Sequence, residues 1–325
     1  KIFDMFFALI FQCFISFIVA YETWCETPSN IDPAVIIPEG FCVRKFGNVN
    51  TARVLEMAPT GEIFVSSVQG STPGGASGGL GGVIVLYDDN QDGVADTNQH
   101  IFLKGVPTIH GIKIANDRFY YSESESVKWI PYTPGDRTAQ QATPVTIADL
   151  STGGGSDRFT HTIAYDYENC DLYVSTGSYD ESTCGPTRNP RVGAVLRIGD
   201  DLPLLGDVVV KGCRNPMYTR CIPGGCYAME LTGDGWSPQG GVEKLVRLVN
   251  NTNIGFPCCI RKDRANSRFA SADCSDITEH IAEFPVQTTP FGFDWDVNHV
   301  LPEPYKGGMF IAMHGSFSSW RDAGV

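Results

Sequence analysis

The segment Asp88-Asp89-Asn90-Gln91-Asp92-Gly93-Val94-Ala95-Asp96 carries oxygen-bearing side chains at its first, third, fifth and ninth positions and glycine at its sixth. Oxygen donors at that spacing suit a hard cation such as Ca2+, and the glycine allows the sharp turn such a loop needs. Asp88, Asn90, Asp92 and Asp96 are therefore candidate ligands of a structural Ca2+. The twelfth position is Gln99 rather than a bidentate Glu, and no helical pattern flanks the segment. The alternative reading is an acidic turn between strands.

Eleven cysteines could bind a metal or pair with one another. No Cys-x-x-Cys occurs, which argues against a structural zinc site. Cys13 lies inside the apolar run Met5 to Ala20, which reads as a signal peptide (residues 1–20) ahead of polar residues. The ten cysteines beyond it form an even set, as expected of disulfides in a secreted protein. Adjacent Cys258 and Cys259 need separate partners, and Cys25 with Cys42 is the expected local pair. Asn250-Asn251-Thr252 is a glycosylation sequon. The chain starts with Lys1 rather than Met, so its N-terminus is expected to be incomplete. The glycine-rich stretch Gly70 to Gly82 is not followed by Lys-Ser/Thr and reads as a loop, not a phosphate cradle.

A recurring signal describes the elements that hold these groups. An apolar residue, an aromatic, an apolar residue and usually a small one recur at Ile63-Phe64-Val65-Ser66, Phe119-Tyr120-Tyr121-Ser122, Leu172-Tyr173-Val174-Ser175, Cys226-Tyr227-Ala228-Met229 and Met309-Phe310-Ile311-Ala312. The aromatics Phe64, Tyr120, Tyr173, Tyr227 and Phe310 are 56, 53, 54 and 83 residues apart. The long gap holds the stretch from Cys258 to Cys274, which reads as an inserted loop. A period of this size without long helical patterns predicts an all-β β-propeller; a β-sandwich is the alternative. Glu243 to Val249 is the one helix-like stretch.

Composition agrees. The 35 glycines and 20 prolines exclude a helical bundle, and 42% apolar residues exclude a disordered chain. With 24 Lys plus Arg against 37 Asp plus Glu, the net charge of −13 excludes non-specific binding to nucleic acid.

From about Phe41 to Gly324 the sequence resembles the glucose/sorbosone dehydrogenases, in particular the secreted pyranose dehydrogenases that use pyrroloquinoline quinone (PQQ). The resemblance rests on Arg53 to Val65, Val85 to Asp96, His110-Gly111-Ile112, Leu172 to Ser178, Gly212-Cys213-Arg214-Asn215-Pro216, Ile254-Gly255-Phe256-Pro257 and His314-Gly315-Ser316. It implies a six-bladed propeller over residues 21–325, with its C-terminal blade incomplete, and PQQ and Ca2+ as cofactors. It also implies a sugar substrate oxidised by hydride transfer to the quinone, an external electron acceptor, and an extracellular location with no stable membrane span after signal cleavage.

Residue by residue, the resemblance places Arg53, Arg214 and Asn215 on the cofactor, where forked guanidinium groups suit carboxylates. It places the quinone-bound Ca2+ on the segment Leu231-Thr232-Gly233-Asp234-Gly235, through Gly233 and Asp234. His314 matches a motif at the axial end of a late blade. Arg158-Phe159-Thr160-His161-Thr162 departs from the related His-x-Thr-Arg-Thr segment. Arg158 stands where the catalytic His is expected, and His161 stands where an Arg is expected. Arg158 is then a cofactor contact and not a base, because guanidinium holds its proton. Three readings follow: His161 serves as base, His110 or His314 serves instead, or the chemistry is lost. In the last case the alternative is a non-catalytic propeller binding a protein or glycan, as hedgehog-interacting proteins do.

Overall fold

A computed structural model describes residues 36–69, 78–97, 100–139, 143–151, 160–178, 182–184, 189–199, 204–233, 236 and 240–315. The predicted signal peptide, Cys25, Gln99, Arg158, Asp234 and Ser316 lie outside the described residues, as do residues 70–77 of the Gly70–Gly82 stretch, whose Gly82 opens a strand.

Each repeat is an antiparallel meander. The first blade is β1 (Ala52–Met57), β2 (Ile63–Ser67), β3 (Gly82–Leu86) and β4 (Ile101–Lys104). The second is β5 (Ile112–Ala115), β6 (Arg118–Ser122), β7 (Ser126–Pro131) and β8 (Val145–Asp149). The third is β9 (Ile163–Asp166), β10 (Asp171–Thr176), β11 (Ala194–Ile198) and β12 (Asp207–Lys211). The fourth comprises β13 (Asn215–Ile222), β14 (Gly225–Leu231), β15 (Val242–Arg247) and, after an insertion, β19 (Ala282–Pro285). The insertion contributes β16 (Thr252–Asn253), β17 (Cys259–Arg261) and β18 (Arg264–Ala265). A hairpin of β20 (Pro290–Trp295) and β21 (Met309–Met313) follows. The described residues thus hold four blades and a two-stranded hairpin, not the six blades that the resemblance implies.

All five aromatic repeat marks fall on the second strand of their sheet. In β2 and β6 every residue after the first is buried, because neighbouring blades cover both faces. Burial on both faces explains an unbroken apolar run where a half-exposed strand would alternate. The hydrophobic cores accordingly lie between consecutive blades. Between the first two blades, Phe64, Phe102 and Phe119 have ring centroids 4.7–5.3 Å apart. Comparable cores join the second blade to the third and the third to the fourth. Tight turns close the hairpins: Asn116 and Asp117 both have positive φ (49° and 55°), the turn that matches strand twist.

The long fourth gap is the insertion. Its β16 pairs parallel to β12 of the third blade, and disulfides Cys184–Cys258 and Cys259–Cys274 fasten it. The adjacent cysteines do take separate partners. Cys221–Cys226 closes the β13–β14 hairpin, and Cys42 is disulfide-bonded. The expectation that all ten cysteines pair is corrected: Cys170 is free and exposed, and Cys213 is free and buried.

The helix-like stretch at Glu243 to Val249 is also corrected, since Val242–Arg247 is β15. Glu243 and Lys244 are buried on this strand with partners from other segments. Glu243 accepts from the Thr232 and Gln287 N–H groups, and Lys244 donates to the Ile254 carbonyl.

Candidate active site

The first strands of the sheets lie side by side in the order β1, β5, β9, β13, β20. The chain enters each of them from the rim of the preceding blade, so the entry turns gather at one end of the arrangement. His110-Gly111 leads into β5, Thr160 to Thr162 into β9, Arg214 into β13 and Thr288-Thr289 into β20. Arg53 is the second residue of β1.

The small residue that ends the repeat motif clamps these turns together. Ser66 Oγ donates to the His110 carbonyl of the next blade at 2.7 Å and accepts the Val54 N–H at 3.0 Å. One blade on, Ser122 Oγ donates to the His161 carbonyl at 2.5 Å and accepts the Gly111 N–H at 2.8 Å. In the third blade Ser175 Oγ accepts the Thr162 N–H at 2.9 Å, and Thr162 Oγ1 lies 3.2 Å from Thr219 Oγ1 of β13. Sequence reading registered these serines only as small; the recurring hydroxyl was the available signal.

His110 is 4% exposed, and its Nδ1 has no hydrogen-bond partner. Burial, followed by the nearby His161 and Arg53, pushes its pKa down to about 3, so the ring is neutral near pH 7. His161 is equally buried, but both its nitrogens face carbonyls: Nδ1 is 2.8 Å from Ser175 O and Nε2 is 3.1 Å from Ser124 O. Burial lowers its pKa and the two carbonyls act against that. A neutral imidazole donates from one nitrogen only, so one carbonyl accepts from the ring and the other faces its lone pair.

Arg53 is exposed, and partial desolvation lowers its pKa. It makes no hydrogen bond or ion pair with a described residue. Arg214 and Asn215 are buried; the Arg214 carbonyl accepts the Ser178 N–H at 2.6 Å. Asn215 Oδ1 accepts the Thr160 hydroxyl at 2.5 Å, next to His161 in the chain. Arg53, His110 and His161 therefore form one group, and Arg214 and Asn215 adjoin it through Thr160. His314 stands on the hairpin: it is exposed, its N–H donates to the Thr289 carbonyl, and its ring lies 4.8 Å from that of Phe291.

The Gly233 carbonyl accepts the Trp236 N–H at 3.0 Å, and a Cβ at Gly233 would lie 2.7 Å from the indole. The Asp88–Asp96 loop closes on itself. Asp88 accepts from the Asp92 and Gly93 N–H groups, Asn90 from Asp92, Asp92 from Val94, and Asp96 from Asp89. No group of three or more His, Cys, Asp or Glu side chains placed to hold a metal occurs among the described residues.

An exposed guanidinium with no partner among the described residues fits a ligand bearing carboxylates. The two depressed histidines also set a pH dependence. Above about pH 6.5 His110 is neutral in both the folded and unfolded chains. Below it the unfolded chain binds a proton that the folded chain refuses until about pH 3. Stability should fall by roughly 1 kcal/mol per pH unit from pH 6.5 downward, and the slope should flatten in His110→Gln. Thermal melts between pH 7 and pH 4 check this; a pH-independent melting temperature contradicts it.

No protein-family model matches this sequence, and no curated protein matches it. Solved structures do match its fold. An iodide structure of a Trichoderma reesei carbohydrate-active enzyme of family AA12 has a TM-score of 0.64 at 18% identity, over 83% of this chain and 74% of the other. The holo form of the pyranose dehydrogenase PQQ domain from Coprinopsis cinerea has a TM-score of 0.63 at 16% identity, over 83% and 73%. The soluble aldose sugar dehydrogenase of Escherichia coli, in its apo form, has a TM-score of 0.56 at 13% identity, over 82% and 80%. The chain thus has the β-propeller fold of the soluble sugar dehydrogenases.

Proposed function

We propose that this chain is a secreted, PQQ-dependent oxidoreductase that oxidises pyranoses or related polyols, built on a β-propeller. The observation that carries the reading is the unpaired Arg53 beside the orphan His110 Nδ1, at one end of a propeller that matches PQQ-domain structures. When bound, PQQ supplies a quinone that accepts hydride from a sugar carbon. Arg53 binds a cofactor carboxylate, and Arg214 and Asn215 bind it from the third-to-fourth blade crossing. His110, neutral and with Nδ1 unpartnered, takes the hydroxyl proton as hydride leaves carbon. The product would be the lactone or ketone, and the electrons would pass to an external acceptor. Ca2+ belongs to the same proposal, on carbonyls of the Leu231–Gly235 segment.

Reconstitution with PQQ and Ca2+ tests this. Dye reduction with a panel of pyranoses is expected, together with its loss in His110→Gln. The engaged nitrogens of His161 favour one other reading, a non-catalytic propeller. PQQ binding without turnover on any sugar selects that reading.

A further inference from the structure

We propose that Glu230 and Glu243 are positioning residues that set, from beneath, the two segments assigned above to the cofactor and its Ca2+. The inference rests on that assignment of Arg214, Asn215 and Gly233. Both carboxylates are buried, at 1% and 3% exposure, on the central strands of the fourth blade. Burying a carboxylate is costly unless hydrogen bonds and a counter-charge offset it, so what each one holds reveals its role.

Glu230 holds the turn into β13. Its Oε1 accepts the Arg214 N–H at 2.5 Å, and its Oε2 accepts the Asn215 N–H at 3.2 Å. Two successive N–H groups thus converge on one carboxylate, while the Arg214 carbonyl is tied to the Ser178 N–H at 2.6 Å. With the backbone fixed on both sides, the directions of the two side chains are set. Lys244, the cross-strand partner of Glu230 on β15, opposes the rise that burial imposes on the Glu230 pKa, and it is itself buried with Nζ 3.1 Å from the Ile254 carbonyl.

Glu243 does the same for the next crossing. Its Oε2 accepts the Thr232 N–H at 2.6 Å, beside Gly233, and its Oε1 accepts the Gln287 N–H at 2.9 Å, on the approach to β20. One carboxylate therefore fixes the third-to-fourth blade entry. The other links the end of β14 to the start of the hairpin.

The test is Glu230→Gln, which keeps size and one carbonyl oxygen but turns an N–H donor toward a backbone N–H. Amide hydrogen exchange on the ligand-free protein should show at least tenfold faster exchange at Arg214 and Asn215, with β5 and β9 unchanged. Titration with PQQ should show a dissociation constant raised about tenfold at unchanged stoichiometry, and a sugar KM within twofold of wild type. A purely structural role would lower the stoichiometry and leave the dissociation constant alone. Glu243→Gln is the second variant, with faster exchange at Thr232 and Gln287 and none at Arg214. It decides the matter if Glu230→Gln does not fold. Unprotected Arg214 and Asn215 amides in the wild type, or wild-type exchange in the variants, overturn the proposal. If the wild type binds no PQQ, the assigned function fails, and the exchange measurements still decide whether these carboxylates hold their segments.

Discussion

Arg53→Gln should bind PQQ about a hundredfold more weakly than the wild type, while its ligand-free form melts at a higher temperature. The two effects share one cause. In the ligand-free protein the Arg53 guanidinium is partly desolvated, has no carboxylate beside it among the described residues, and disfavours protonation of His110. Removing it relieves the ligand-free fold. In the complex the same guanidinium meets a carboxylate of the cofactor, and truncating one partner of such a pair costs about 3 kcal/mol, which is a hundredfold in affinity. Gln preserves length and a donor, so the loss reports charge rather than shape. Isothermal titration and thermal melts of both proteins measure the two arms. Unchanged affinity together with a lower melting temperature would make Arg53 a structural residue.

The second large effect is expected at Gly111. A Cβ there would lie 2.3 Å from the His161 carbonyl oxygen, 3.0 Å from the Ile163 nitrogen and 3.0 Å from Thr162 Cα. All three are backbone atoms of the next blade's entry, so no side chain can swing aside. The Gly111 N–H also donates to that same carbonyl at 2.9 Å. Gly111→Ala therefore forces the second and third blades apart where His110 and His161 sit. We expect a loss of about 3 kcal/mol, the upper range for overpacking, and dye reduction lowered well beyond the folded fraction. Gly292→Ala is the control: its Cβ would meet nothing within 4 Å, and it should unfold with the wild type. Equal urea midpoints for the two variants would show that the close approach is not needed.

The His-Gly-Ile segment illustrates how far the sequence could be read. It marked a site entry, but the reason for its glycine lies 50 residues away, in a carbonyl of another blade. The repeat marks were legible because a second strand covered on both faces must be apolar throughout, whatever its neighbours are. The insertion was legible as an excess of spacing. By contrast, Glu243 to Val249 read as helix-like, because the partners that bury Glu243 and Lys244 on a strand, Thr232, Gln287 and Ile254, are remote in the chain. The choice among histidines was hidden for the same reason. His161 stood three residues from the expected position, and its nitrogens face carbonyls of Ser124 from the second blade and Ser175 from its own blade, while His110 Nδ1 has no partner among the described residues. Pairing of the cysteines followed chain geometry only at Cys258 and Cys259; that Cys213 stays a thiol depends on its burial between the third and fourth blades.

The central claim is that the end of the propeller holding Arg53 and His110 binds an anionic quinone. Equilibrium titration of the purified, Ca2+-supplemented chain with PQQ, followed by the quinone absorbance, tests it most directly. The account predicts saturable binding of one PQQ per chain with a shifted quinone band, weakened about a hundredfold in Arg53→Gln. A spectrum identical to free PQQ at saturating concentration would contradict it.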